Sequence, residues 1–190
     1  MEPEAVLDLF RTSGALLEGH FRLSSGLHSD RYLQSALVLQ YPEFAEALGH
    51  ALAERNRHLQ ATVVLSPALG GIVIGQEVGR ALGVRAVFVE RQDGAMTLRR
   101  GFGLAPSDRV LVVEDVITTG GSTRETAAVA ESIGAQVVGA AAIIDRSARG
   151  APLDLPMQAL VRLEVPTYAP ESCPLCAKGE AIVKPGSRIN

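Results

Sequence analysis

Residues 110–123 constrain the fold of this chain more than any other stretch, and they read VLVVEDVITTGGST. The apolar run at residues 110–113 is mostly β-branched and predicts a buried strand. Two adjacent carboxylates, Glu114 and Asp115, follow this run, and a loop of small and hydroxyl-bearing residues comes next. Apolar residues then recur at helical spacing over residues 124–133. The stretch therefore predicts a strand, a short loop and a helix, the repeating unit of an α/β domain.

This unit has the chemical features of a site for a phosphorylated sugar. Backbone N–H groups of residues 118–122, together with the helix dipole, can hold a phosphate dianion. Glu114 and Asp115 can accept hydrogen bonds from a ribose diol. Hydroxyl donors for the phosphate are Thr118, Thr119, Ser122 and Thr123. A purely structural interpretation, with a solvated strand end and a glycine turn, suits each residue taken singly, but the ordered run favours the site.

Helices and strands alternate along the rest of the chain. Apolar spacing predicts helices at residues 4–18, 43–58, 72–82 and from about 123, and strands at 62–66, 84–89, 110–113 and 136–144. Alternation of this kind predicts a mostly parallel sheet with right-handed crossovers, and 190 residues suit one such domain. Ligands of these sheets bind beyond the carboxyl ends of the strands.

Three further segments follow predicted strands and are candidates for the same site. Residues 66–71, SPALGG, lead into a helix whose free N–H groups favour an anion, although a structural turn is the alternative. Residues 90–103 carry three arginines and three glycines, which fits a mobile lid over an anionic substrate; an exposed β-hairpin with solvated arginines is the alternative. Arg146 can hold a carboxylate bidentately; the alternative is a surface pair with Asp145 or simply a charge at the strand end.

The stretch from residue 110 to Ser122 resembles the signature of the type I phosphoribosyltransferases, which bind 5-phosphoribosyl 1-diphosphate (PRPP). The resemblance implies an α/β fold with a parallel sheet flanked by helices, and one domain with a small hood (residues 1–40 plus a C-terminal segment) over a core (residues 41–150). It implies that PRPP is bound by Glu114, Asp115, Val116, Ile117, Thr118, Thr119, Gly120, Gly121, Ser122 and Arg91. The loop that contacts diphosphate would be Ala68, Leu69, Gly70 and Gly71.

Residues 19–34, GHFRLSSGLHSDRYLQ, resemble the hood of orotate phosphoribosyltransferases, as does the run DRSARG at residues 145–150. The C-terminal run at residues 173–188 is similar to that of one subgroup of this family. The resemblance implies transfer of the phosphoribosyl group of PRPP to orotate, giving orotidine 5′-phosphate and diphosphate. Orotate would contact Thr118, Arg146, Ser24 and Tyr32.

The same resemblance implies how the reaction is assisted. The residues expected to take part in catalysis are Asp115, Arg91, Arg99 and Arg100, with the arginines neutralising the leaving diphosphate. Mg²⁺ would be held mostly by substrate and water oxygens rather than by protein ligands. A homodimer is implied, in which residues 91–103 reach the neighbouring site.

The chain departs from the family pattern at several cationic positions. Ser24 and Gly70 stand where lysines are common, and the usual lid lysines and histidine are replaced by Gln92, Ala95 and Thr97. Cations that could compensate are Arg99, Arg100 and His28. Two rival functions therefore stay open: a transferase for a purine base such as xanthine or adenine, and a non-catalytic PRPP-sensing regulator.

Charge and composition limit the classes of partner that we expect the chain to bind. The net charge of −3 gives no basic footprint for nucleic acid, and no apolar run reaches the ~18 residues of a membrane span. The acidic start MEPE is unlike a signal peptide, so we expect a cytoplasmic protein with no nucleic-acid or membrane partner. Cys173 and Cys176 have CxxC spacing without a second pair, so a zinc site would need further ligands from a histidine or another copy of the chain.

Overall fold

The computed structural model describes residues 1–23, 25–147 and 153–185. Its helices are α1 (Pro3–Thr12), α2 (Ser35–Leu39), α3 (Pro42–Asn56), α4 (Gly70–Leu82), α5 (Gly121–Ser132) and α6 (Pro174–Ala177). Its strands are β1 (Leu16–Arg22), β2 (His28–Leu33), β3 (Val63–Pro67), β4 (Arg85–Gln92), β5 (Ala95–Leu98), β6 (Arg109–Ile117), β7 (Gln136–Asp145), β8 (Met157–Arg162) and β9 (Thr167–Tyr168). Within the described parts, no helix is long and apolar enough to cross a membrane.

A six-stranded sheet forms the centre of the molecule, in the order β5-β4-β3-β6-β7-β8. All neighbours in it are parallel except β5, which pairs antiparallel with β4. β3 and the first part of β6 are continuously buried, because helices cover both faces of the sheet. This arrangement confirms the predicted α/β class with a mostly parallel sheet flanked by helices.

Alternate side chains of β6 supply two separate hydrophobic clusters. Leu111 and Val113 belong to the cluster that includes α1, α3 and α4, whereas Val110 and Val112 belong to the cluster under α5. The period of two along a strand dictates this division. Because both faces are filled, the carboxyl end of β6 is the part of the strand that is left to meet a ligand.

A second, three-stranded antiparallel sheet has the order β1-β2-β9, and we call it the small sheet. It combines the two ends of the chain: β9 pairs with β2, and Val183 forms an isolated bridge to Phe21 of β1. The division of the chain into a hood and a core stays a prediction.

The expected helix at residues 4–18 is wrong in its second half. α1 ends at Thr12, and Gly14 follows with φ +69°, a conformation that glycine adopts without strain. The chain then turns into β1, in which Leu16 is buried and Leu17 is exposed. The two leucines therefore follow the period of a strand, although their spacing from α1 also fits a helix.

Candidate active site

The acidic pair lies on opposite faces of β6, which extends past the predicted residue 113 to Ile117. Glu114 is buried and accepts a hydrogen bond of 2.5 Å from the Thr123 hydroxyl of α5. Asp115 faces α4 instead, where a Cβ on Gly70 would lie 2.6 Å from its Oδ1. The carboxylate of Asp115 therefore lies directly against Gly70 of the candidate diphosphate loop.

Glu114 has an unusual protonation equilibrium. Burial raises the pKa of its carboxyl to about 7, the charge of Asp115 adds to the rise, and the Thr123 hydrogen bond opposes it. The Thr123 hydroxyl is fully buried and committed to this bond. The expectation that Thr123 donates to a phosphate is therefore wrong, because its only donor already has an acceptor.

The loop after β6 presents backbone donors, as the sequence suggests. Gly120 has φ +73° and turns the chain into α5, whose first residue is Gly121. The N-cap residue Gly120 has no side chain, so within the described residues no N-cap side chain accepts from the first N–H groups of this helix. Thr118 and Thr119 are exposed beside them. The arrangement can bind a phosphate at the helix N-terminus, and the residues assigned to PRPP stay a prediction.

Arg146 lies at the neighbouring strand end with an unused donor. Its backbone N–H donates to Ile117 O at 2.8 Å, which fixes it beside the loop after β6. Its Nε is buried and has no hydrogen-bond partner in the described part of the chain. Burial also lowers the pKa of the guanidinium. A buried cationic donor without an acceptor fits the position of an incoming anionic ligand.

Asp145 does not pair with Arg146, so that alternative for the strand end is wrong. Its buried carboxylate accepts hydrogen bonds from the backbone N–H and hydroxyl of Ser147. It also forms an ion pair with Arg162 of β8, at 3.1 Å. The sequence does not point to Arg162, because only the pairing of β7 with β8 brings it to Asp145.

A cavity of about 390 Å³ opens between α2 and the start of α4. Its lining includes Gln34 after β2, Leu69 and Gly70 at the start of α4, and Asp115 of β6. Leu69 is 84% exposed, which leaves the backbone of the loop accessible. Among the candidate diphosphate residues, the structure therefore brings Leu69 and Gly70 together with Asp115.

The candidate lid is a β-hairpin in its first part. β4 runs on to Gln92 rather than ending at residue 89, and the turn at Asp93 and Gly94 has positive φ at both residues. Two-residue turns of this kind match the twist of paired strands. The first part of residues 90–103 therefore has the β-hairpin structure that was the alternative to a lid. A role of the segment as a lid stays a prediction.

The arginines of the hairpin pair with carboxylates that lie away from the acidic pair. Arg91 contacts Glu125 of α5 at 2.7 Å, while Arg99 and Arg100 contact Glu90 at 3.7 and 3.1 Å. None of these three ion pairs involves Asp115, within the residues that the structure describes. Their part in neutralising diphosphate stays a prediction.

The structure places the residues expected near orotate, and the possible replacement cation His28, in different environments. Tyr32 lies on β2 and packs against Phe21, with ring centroids 5.9 Å apart. Ser24 and Arg149 lie outside the described residues. His28 is buried against Cys176 rather than free to act as a replacement cation.

Comparisons with known proteins agree with this geometry. The sequence profile of the phosphoribosyl transferase domain matches residues 35–161. The chain is 52% identical over 188 residues to the orotate phosphoribosyltransferase of Pelotomaculum thermopropionicum, covering 99% of each protein. It is also 52% identical over 182 residues to the orotate phosphoribosyltransferase of Carboxydothermus hydrogenoformans, covering 95% of each.

Solved structures share the fold. The crystal structure of orotate phosphoribosyltransferase from Aeropyrum pernix superposes with a TM-score of 0.70 at 24% identity, covering 83% of this chain and 93% of that one. The Mycobacterium tuberculosis orotate phosphoribosyltransferase, solved in complex with PRPP, has a TM-score of 0.66 at 25% identity, covering 84% and 94%. With the full-length identity to the two relatives above, the chain therefore belongs to the phosphoribosyltransferase family, and within that family to the orotate phosphoribosyltransferases.

Proposed function

We propose that the protein transfers the 5-phosphoribosyl group of PRPP to orotate, giving orotidine 5′-phosphate and diphosphate. Its relatives at about half identity carry the name of this activity. The observation that carries the proposal is the buried Nε of Arg146, which has no partner among the described residues and belongs to a residue fixed beside the loop after β6. Orotate bears a carboxylate, the group that a guanidinium binds best.

The residues around Arg146 supply the other contacts that the substrates need. The 5′-phosphate would lie on the N–H groups of residues 118–122, where the dipole of α5 favours negative charge. The ribose hydroxyls would donate to Asp115 and Glu114. Gly70 and its neighbours at the start of α4 would face the diphosphate, since they line the cavity beside Asp115.

The chemistry needs no nucleophile from the protein. The N1 atom of orotate, having lost its proton, attacks C1 of the ribosyl group while the bond from C1 to the diphosphate oxygen breaks. The bonding electrons leave with diphosphate, so positive character develops on the sugar and negative charge on the leaving group. Fixed backbone donors stabilise this charge separation, the arginines that the hairpin brings from a neighbouring copy would add to it, and positioning supplies much of the rest.

Mg²⁺ fits this site as a substrate-bound ion. The carboxylate of Asp115 lines the cavity, and no cluster of three or more acidic, histidine or cysteine side chains forms there among the described residues. Diphosphate, ribose and water oxygens would therefore provide most of its ligands, and Asp115 would hold it through bound water. When bound, the ion neutralises charge on the departing diphosphate.

A homodimer in the cytoplasm is part of the same proposal. The hairpin forms the edge of the central sheet, and its arginines are about half exposed, so they can reach a neighbouring site.

A panel of free bases with purified protein, PRPP and Mg²⁺ tests the activity. We expect orotate absorbance to fall and diphosphate to appear with orotate alone. Turnover only with a purine base would overturn the choice of base, and PRPP binding without any turnover would favour a sensor.

The variant Arg146→Gln tests the carboxylate contact. Loss of a charge-assisted hydrogen bond costs about 2–4 kcal/mol, so kcat/KM for orotate should fall roughly 30- to 1,000-fold. Arg80→Gln on the exposed face of α4 is the matched control and should leave it unchanged. An Arg146→Gln enzyme with the orotate kinetics of the parent would contradict the assignment.

A further inference from the structure

Four side chains with metal-binding atoms meet between the small sheet and α6, and none of them lines the cavity beside Asp115. His20 of β1 and His28 of β2 face Cys173 and Cys176, which flank the first turn of α6, and their ligand atoms all lie within 4.8 Å of one another. Three of the four are buried, and Cys176 is exposed. The CxxC pair thus has two histidines of the same chain beside it, which the sequence alone does not show because His20 and Cys173 are 153 positions apart.

The distances between these atoms fit the edges of a tetrahedron. Zinc–nitrogen bonds of about 2.0 Å and zinc–sulfur bonds of about 2.3 Å imply edges of about 3.3 Å between two nitrogens and about 3.6 Å between nitrogen and sulfur. His20 Nε2 lies 3.1 Å from His28 Nδ1. Cys173 Sγ and Cys176 Sγ lie 3.6 and 3.7 Å from His20 Nε2, and Cys176 Sγ lies 3.3 Å from His28 Nδ1.

The other ring nitrogen of His20 is already oriented for metal binding. His20 Nδ1 lies 2.9 Å from the carbonyl oxygen of Glu180, to which it can only donate. The proton of a neutral His20 ring is therefore on Nδ1, and Nε2 faces the cysteines with a free lone pair. Histidine ligands of metals usually donate their second ring N–H to a carbonyl or carboxylate in this manner.

We propose that His20, His28, Cys173 and Cys176 form a structural zinc site. Two thiolates and two imidazoles in tetrahedral arrangement are the ligands that Zn²⁺ prefers. All four positions are filled by protein atoms, which leaves none for a substrate or a reactive water. The ion would therefore stabilise the fold rather than take part in a reaction.

The backbone around the cluster shows what such an ion would fasten. Val183 donates to His20 O at 2.8 Å and accepts from Arg22 N–H at 2.8 Å, while Tyr168 of β9 pairs with His28. Zinc would thus cross-link the C-terminal segment to β1 and β2. β2 leads directly to Gln34, which lines the cavity beside Asp115, so the site would also stabilise one wall of the active site.

Elemental analysis of the full-length protein, purified under reducing conditions without chelator, tests the proposal. We expect about one zinc per chain, and less than a fifth of that in Cys176→Ser and His28→Ala. His50→Ala, an exposed histidine of α3, is the control and should retain the metal. Protein that contains no zinc and does not take up added Zn²⁺ in competition with a chromophoric chelator would overturn the site.

Two further measurements keep the test independent of the variants' folding. Parent protein reconstituted with Co²⁺ should show the intense visible bands of a tetrahedral thiolate complex, and a spectrum typical of six oxygen or nitrogen ligands would contradict the ligand set. Counting thiols after unfolding without reductant should give two per chain. A disulfide between Cys173 and Cys176 in the protein as isolated from reducing cytoplasm would also overturn the proposal.

Discussion

The buried carboxyl of Glu114 makes a quantitative prediction about stability. Its pKa rises from an ordinary value of 4.5 to about 7 on folding, chiefly because the group is buried. The native state therefore retains a proton that the unfolded chain has already lost as the pH rises from 4.5 toward 7. Protonated Glu114 makes its full contribution to the free energy of unfolding below pH 4.5. This contribution is lost as the pH rises through 7 and the native carboxyl ionises.

The magnitude follows from the same two pKa values. The free energy of unfolding should fall as the pH rises across this window, by a total on the order of 2–3 kcal/mol between pH 5 and pH 8. The variant Glu114→Gln removes the titration but keeps an oxygen that accepts the hydrogen bond of Thr123. Its stability relative to the parent should therefore increase by about 2–3 kcal/mol from pH 5 to pH 8.

Urea unfolding followed by circular dichroism at several pH values measures this difference, since the chain has no tryptophan. Protein concentration is kept constant throughout, because association would otherwise change the apparent stability. Glu131→Gln on the exposed face of α5 is the control and should give a difference that does not vary with pH. A stability difference between the parent and the Glu114→Gln variant that is the same at pH 5 and pH 8 would refute the reasoning.

Three further substitutions test the packing and the site. In Gly75→Ala the new Cβ would overlap Ser66 Oγ and force α4 away from β3. We therefore expect the free energy of unfolding in urea to fall by about 1–3 kcal/mol. Gly103→Ala, where the new Cβ would lie in open space, is the control and should lower it by no more than about 0.5 kcal/mol. Gly70→Ala displaces the Asp115 carboxylate, and calorimetry should show PRPP binding weakened about tenfold or more with little change in melting temperature. Asp115→Asn removes the charge that would accept the ribose hydroxyl, so kcat/KM for PRPP should fall about 10- to 100-fold; unchanged steady-state kinetics would rule out this contact.

The parts of the fold that the sequence predicts are those governed by local patterns. The structure contains the three predicted elements around Glu114 in the predicted order. They are the β-branched strand β6, a loop of small residues and the helix α5. The alternation of strands and helices likewise suffices for the parallel central sheet. A hydrophobic period of 2 or 3.6 residues identifies strands and helices within one segment, which is why these elements are predicted correctly.

The features that the sequence does not predict depend on distant pairing. Asp145 meets Arg162 only because β7 and β8 are neighbours, and His20 meets Cys173 only because the C-terminal segment returns to β1. The end of α1 escapes prediction for a different reason: Leu16 continues the helical spacing, and Gly14 alone marks the change. No periodicity within one segment contains information about its partner across the fold.

The joining of both chain ends in the small sheet has a consequence for synthesis. β1 and β2 leave the ribosome early, but β9 at Thr167–Tyr168 and the bridge from Val183 are made near the end of translation. At about 5–20 residues per second, the delay between residues 28 and 168 is roughly 7–28 s. The nascent chain must keep the edge of β2 unpaired for that time, while most of the central sheet can already assemble. The small sheet is thus the last part of the protein to be completed, and its exposed strand edge is where a newly made chain is most open to pairing with a neighbour.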